Sequence, residues 1–148
     1  MYKHILIPTD GSKLAGKGIK AGVKLARALG ARVTGVYVIS PYVRPMYGEG
    51  TNFVGGVSPQ DYRKYSEKQA KKALAAVAIE AEAARVPCVT KFLTAPKPSE
   101  GIMKTARARR CDLIAMASHG RGGLGGLILG SETTRVLAHS KIPVVVLR

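Results

Sequence analysis

A chain of 148 residues, 46% of them hydrophobic, is long enough for one domain with a buried core, and that composition excludes a disordered polar chain. Twenty-four Lys and Arg against nine Asp and Glu give a formal charge of +15, which points to polyanionic ligands or partners, or to a solvated basic surface. No apolar run nears the ~20 residues of a membrane helix, no leader precedes the first strand-like run, and Cys88 and Cys111 show no metal or disulfide spacing, so a cytoplasmic protein with free thiols is expected.

Tyr2 to Pro8 reads as a first strand, its continuous run Ile5-Leu6-Ile7 suited to burial on both faces. The turn Thr9-Asp10-Gly11-Ser12 offers Asp10 or Ser12 as a helix cap. A helix over Lys13 to Leu29 follows. Ala15, Ile19, Val23 and Ala26 repeat at helical spacing, with Lys13, Lys17, Lys20, Lys24 and Arg27 off that stripe and Gly30 as the stop. Arg32 to Ile39 is a second strand. The stretch 40–57 then carries Pro41, Pro45, Tyr42, Tyr47 and Phe53, and its length marks it as a lid or binding loop.

Ser58-Pro59-Gln60-Asp61 starts a helix that should reach about Arg85, with Leu74, Val77, Ala78 and Ala81 inward. Cys88 to Thr94 is a third strand, and a helix begins at Pro98 or Ser99 and runs to about Arg109. Leu113 to Ala117 is a fourth strand, Ser131 to His139 a last helix, and Pro143 to Leu147 a last strand. Strict alternation predicts one α/β domain over 1–148: a doubly wound, five-stranded parallel sheet with helices on both faces.

The chemistry concentrates between the fourth strand and the last helix. There, Ser118 and His119 are followed by six glycines between Gly120 and Gly130. Such a loop opening into a helix can aim several backbone N–H groups at one anion, with the helix dipole behind them. Gly120 to Gly125 is a literal G-x-G-x-x-G. A dinucleotide site also needs an acid after the next strand, but that strand ends in Leu147-Arg148. There is no P-loop motif either. His119 has no neighbouring acid to orient it, so no catalytic residue is assigned, and no His, Cys, Asp or Glu cluster is compact enough to hold a metal. Asp10 lies where ligands sit in open α/β sheets, with helix capping as its other reading.

Ala117-Ser118-His119-Gly120, nine residues from Arg121 to Leu129, and Gly130-Ser131 together resemble the ATP motif of the universal stress proteins, Gly-x-x-Gly-(nine residues)-Gly-[Ser/Thr]. Ala117 departs from it, standing where the family has its first glycine. The likeness extends to Ile5 to Ser12 and to Val136 to Arg148. It implies a Rossmann-like, adenine nucleotide alpha hydrolase-like fold with strand order 3-2-1-4-5. It also implies ATP as ligand, with any Mg²⁺ held by the phosphates. Asp10 and Val38 would meet the adenosine end, the valine through its backbone, with Pro8 and Thr9 beside them. Ala117, His119, Gly120, Arg121, Gly130, Ser131, Glu132 and Thr133 would surround the rest of the nucleotide.

The resemblance further implies a nucleotide-dependent stress-response or regulatory module that forms a homodimer through its C-terminal strand, an apolar sheet edge. Two other classes stay open: a slow ATPase or autophosphorylating enzyme, and a basic nucleic-acid binder. Against the last stands the lack of a zinc finger, helix-turn-helix or RNP-type stretch, with only 5% aromatics.

Overall fold

The computed structural model describes residues 1–44, 56–118 and 129–147. His119, Gly120 and Arg121, together with Tyr47 and Phe53, lie outside the described residues. The elements run β1 (His4–Pro8), α1 (Lys13–Leu29), β2 (Arg32–Ile39), α2 (Pro59–Ala83), β3 (Cys88–Thr94), α3 (Pro98–Ala108), β4 (Leu113–Ala117), α4 (Ser131–His139) and β5 (Val144–Leu147). All four strand pairings are parallel and the order is β3-β2-β1-β4-β5, as expected.

Side chains alternate across a strand, so one apolar run feeds two cores. Ile5 and Ile7 face Ile19, Val23 and Ala26 of α1 and Val77 and Ala81 of α2. Leu6, with Val36, Ile114 and Met116, faces Ile102 and Ala106 of α3 and Val136 of α4. Each aliphatic side chain buried this completely stabilises the fold by ~1.5–3 kcal/mol.

Local chemistry sets the ends of the helices. Ser12, not Asp10, caps α1, its hydroxyl accepting the Ala15 N–H at 3.1 Å. Gly30, with φ of 62°, ends that helix in the left-handed conformation. Ser58 caps α2 from Asp61 N–H at 3.0 Å. α2 stops at Ala83 because Arg85 turns left-handed, with φ of 55°, and Val86 N–H folds back to Ala81 C=O at 2.8 Å. Arg110 ends α3 the same way, with φ of 54°. β1 begins at His4 rather than Tyr2. On α2 the buried row is Ala70, Ala73, Leu74, Val77 and Ala81, and Ala78 is exposed, contrary to the periodicity. The reason is that α2 packs on β2 and the edge strand β3, which cover only a narrow stripe of it.

Candidate functional site

β1 and β4 are neighbours whose connections leave to opposite faces of the sheet, and in open α/β sheets such a switch point opens a crevice at the strand C-termini. A cavity of about 850 Å³ lies there, within the ~300–1,000 Å³ range of small-molecule pockets. Pro8, Thr9 and Asp10 line it from the end of β1, Val38 from β2 and Ala117 from β4. Gly130, Ser131, Glu132 and Thr133 line it from the start of α4. Nine expected residues, distant in the chain, thus share one concave surface.

At the end of β1, Thr9 N–H donates to Val36 C=O at 2.9 Å, the last bond between these two strands. The Asp10 carboxylate accepts Ser12 N–H at 2.9 Å, and the Thr9 hydroxyl accepts Gly11 N–H at 3.2 Å, which fixes the turn at the cavity mouth. Along β2, Arg32 donates to Lys3 and Val36 accepts from Thr9, while Val33 donates to Pro87 and Ile39 accepts from Ala95. Even-numbered residues therefore point their N–H and C=O towards β1 and odd-numbered ones towards β3. β1 ends at Pro8, opposite Val36. The Val38 N–H and C=O consequently face the space that β1 has left, which is the cavity. The Val38 side chain points away, against α3. A Cβ on Gly101 would meet its methyls at 2.7 and 2.8 Å.

Ala117 is accommodated in a related way. A Cβ built on Gly18 of α1 would lie 2.8 Å from the Ala117 Cβ, so the methyl absent from a glycine motif is met by a glycine in the facing helix. The Ala117 C=O accepts the Thr133 hydroxyl at 3.2 Å, and Gly130 N–H donates to Ser118 C=O at 2.9 Å, which fastens the start of α4 to the end of β4.

The N-cap of α4 is Gly130, and no side chain among the described residues caps it. Ser131, Glu132 and Thr133 are the first helical residues. Their N–H groups and the positive end of the helix dipole make this a place for an anion. Glu132 is turned away from that role. Burial works against its charge, but the Ser99 N–H (at 2.7 Å), the Ser99 hydroxyl and Arg135 outweigh it and hold the carboxyl below its ordinary value. Glu132 therefore caps the start of α3 and is already satisfied.

α2 adds a wall that the motif reading did not include. Tyr62, Tyr65, Ser66 and Gln69 line the cavity from one side of the helix. Their i, i+3, i+4, i+7 spacing was visible in the sequence, but it carries no sign of what the face opposes. The Tyr62 hydroxyl donates to Ser40 C=O at 2.7 Å, the Tyr42 hydroxyl donates to Val57 C=O at 2.9 Å, and the two rings sit 5.4 Å apart. These contacts hold Ser40, Tyr42 and Val57 together at the start of α2, beside the cavity.

Among the described residues no group of three His, Cys, Asp or Glu is placed to hold a metal, and no helix is long and apolar enough to cross a membrane.

The sequence profile of the Universal stress protein family matches residues 1–148. A universal stress protein of Methanocaldococcus jannaschii is 32% identical, the alignment covering all of this chain and 83% of that protein. One from Thermus aquaticus is 31% identical over the full length of both. The fold is similar to that of the universal stress protein UspA from Lactobacillus plantarum, with a TM-score of 0.78, 21% identity and coverage of 99% and 98%. It is also similar to a universal stress protein from Archaeoglobus fulgidus in complex with dAMP, with a TM-score of 0.68, 19% identity and coverage of 99% and 98%. A family protein from Arabidopsis thaliana with AMP bound has a TM-score of 0.68 at 14% identity, with coverage of 98% and 90%. The chain belongs to the universal stress protein family.

Proposed function

We propose that this protein binds ATP in the cavity at the ends of β1, β2 and β4 and acts as a nucleotide-dependent module of the stress response. The observation that carries the reading is the pairing of two features across one cavity: the N–H and C=O of Val38, which point past the end of β1, and the N-terminus of α4, which no side chain among the described residues caps. The first suits adenine, which offers an acceptor and an exocyclic amino donor side by side, whereas guanine presents a carbonyl where adenine has that amino group. The second suits phosphate. Pro8, Thr9 and Asp10 would flank the adenosine, and Ala117, Gly130, Ser131 and Thr133 the ribose and phosphates, with His119, Gly120 and Arg121 completing the loop between them. Nucleotides held by relatives, dAMP and AMP, agree with the class of ligand.

Any Mg²⁺ would ride on the phosphates. Of the two acids in the cavity, Glu132 is tied to Ser99 and Asp10 holds Ser12 N–H. For the same reason neither acid is offered as a general base, and the proposed role is binding rather than turnover. A second copy of the chain, paired along β5 at the sheet edge, would cover the half-exposed Val144 to Leu147.

Calorimetric titration of the protein with ATP, AMP and GTP tests the reading. Binding of ATP with GTP weaker by about 100-fold or more is expected, since a mismatched polar edge leaves groups unpaired. Equal affinity for ATP and GTP would remove Val38 as the base reader, and no binding of either would remove the proposal.

A further inference from the structure

α1 is the one helix among the described residues that carries no acid. Lys13, Lys17, Lys20, Lys24 and Arg27 are all exposed. Their i, i+4, i+7, i+11, i+14 spacing puts them within an arc of about 80° and along about 21 Å of helix, one charge every ~5 Å. The opposite side holds the buried Ala15, Ile19, Val23 and Ala26, so the row is rigidly backed by the core. Every other helix mixes its charges: Asp61, Glu67, Glu80 and Glu82 on α2, Glu100 on α3 and Glu132 on α4. The ion pairs among the described residues are Arg63–Glu67 and Glu132–Arg135, so none of the α1 cations is ion-paired with a described residue. Like charges on successive turns repel one another, so an external polyanion relieves that repulsion.

We propose that the exposed face of α1 binds the phosphate backbone of double-stranded nucleic acid, without sequence preference. The absence of base-reading motifs counts against a sequence-specific binder, not against this. Single strands are held by stacking on aromatic side chains, and α1 has none. A protein partner calls for an apolar centre to its interface, and the only large apolar side chain exposed on α1 is Leu14, at 38%. A bilayer surface engages an amphipathic helix by burying its apolar side, and here that side is already in the core. A straight row of cations fits the remaining chemistry, regularly spaced phosphates along a stiff duplex, at the level of charge neutralisation.

The test is titration of nucleotide-free protein into a labelled DNA duplex of about 24 base pairs across about 50 to 200 mM KCl, where five phosphate contacts give a log–log slope of about −4.5, an affinity loss of about 500-fold. The triple variant Lys17→Gln/Lys20→Gln/Lys24→Gln should reduce the steepness of that slope by about 2.7 while leaving ATP binding unchanged. The matching Lys→Arg triple should behave as the unaltered protein does. Lys64→Gln/Lys68→Gln/Lys72→Gln on α2 should keep the full slope. The proposal is overturned if the α1 triple binds the duplex as the unaltered protein does, if the α2 triple loses as much, or if the protein binds phosphatidylserine vesicles and not the duplex. ATP titrations of the same variants separate this outcome from any failure of the nucleotide reading.

Discussion

Ala117 at the end of β4 and Gly18 in the middle of α1 form a matched pair: a Cβ at residue 18 would stand 2.8 Å from the one at residue 117. Only one of the two positions has room for a methyl. Gly18→Ala should therefore destabilise the protein by about 1–3 kcal/mol, the usual range for overpacking, despite alanine's better helix propensity. Adding Ala117→Gly, which also restores the first glycine of the family motif, removes the 2.8 Å contact and should recover part of the loss, since the backbone Cα and N of residue 117 would still lie 3.2 Å from the new Cβ. Urea unfolding of the two variants measures this; a Gly18→Ala protein more stable than the parent would contradict the pairing.

Gly16, one half-turn earlier, is the control. A Cβ there meets nothing within 4 Å. Gly16→Ala should stabilise the protein by about 0.5–1 kcal/mol, through helix propensity and a less flexible unfolded chain. A lower urea midpoint would show that the position has a packing role the structure does not contain.

Elements whose ends are written in local chemistry were readable in advance. Ser12 and Gly30 bound α1, and Ser58 with Pro59 opens α2, because caps act within a few residues of themselves. The strand order needed the family resemblance, since alternation fixes parallel pairing but not which strands are neighbours. Gly130 and Ser131 were legible as candidates because they fall within one motif, and Glu132 and Thr133 follow them directly in the chain. Tyr62, Ser66 and Gln69 were not, because their role depends on where α2 crosses β2 and β3, a tertiary relationship. His4 was missed as a buried residue because the apolar run begins one position later, at Ile5.

Arg110 adopts φ of 54° where α3 ends, a conformation that costs an L-residue with a Cβ about 1–2 kcal/mol. Arg110→Gly should raise stability by ~0.5–1 kcal/mol after the extra entropy of the unfolded glycine is subtracted. Thermal unfolding of the variant checks this, and a lowered midpoint would mean that the arginine side chain contributes more than the backbone loses.

His4 is 6% exposed, its Nε2 2.8 Å from the Thr34 hydroxyl and its Nδ1 buried. Burial, then Arg32, pushes its pKa below the ordinary 6.5, with Asp112 opposing. The unfolded chain therefore takes up a proton near pH 6.5 that the folded protein refuses. Stability is fully present above that pH and falls as pH drops towards the folded pKa, by at most ~1.4 kcal/mol per unit. Asp112 and Glu132, held below their ordinary values of 3.8 and 4.5, act in a separate and more acidic window. Urea midpoints between pH 7.5 and 5.5 should decline more steeply for the parent than for His4→Leu. Parallel declines would assign the effect to net charge instead.

The central claim is that the start of α4 is the phosphate site, and Gly130→Asp tests it most directly. Aspartate is a good N-cap, and its exchange with glycine changes helix stability by only a few tenths of a kcal/mol, so the fold should be retained. The same carboxylate would occupy the first-turn N–H groups and repel a phosphate. Calorimetric titration should show ATP affinity reduced by about 100-fold or more, close to 3 kcal/mol, with an unchanged unfolding midpoint. Unaltered ATP affinity in a folded Gly130→Asp protein would contradict the account.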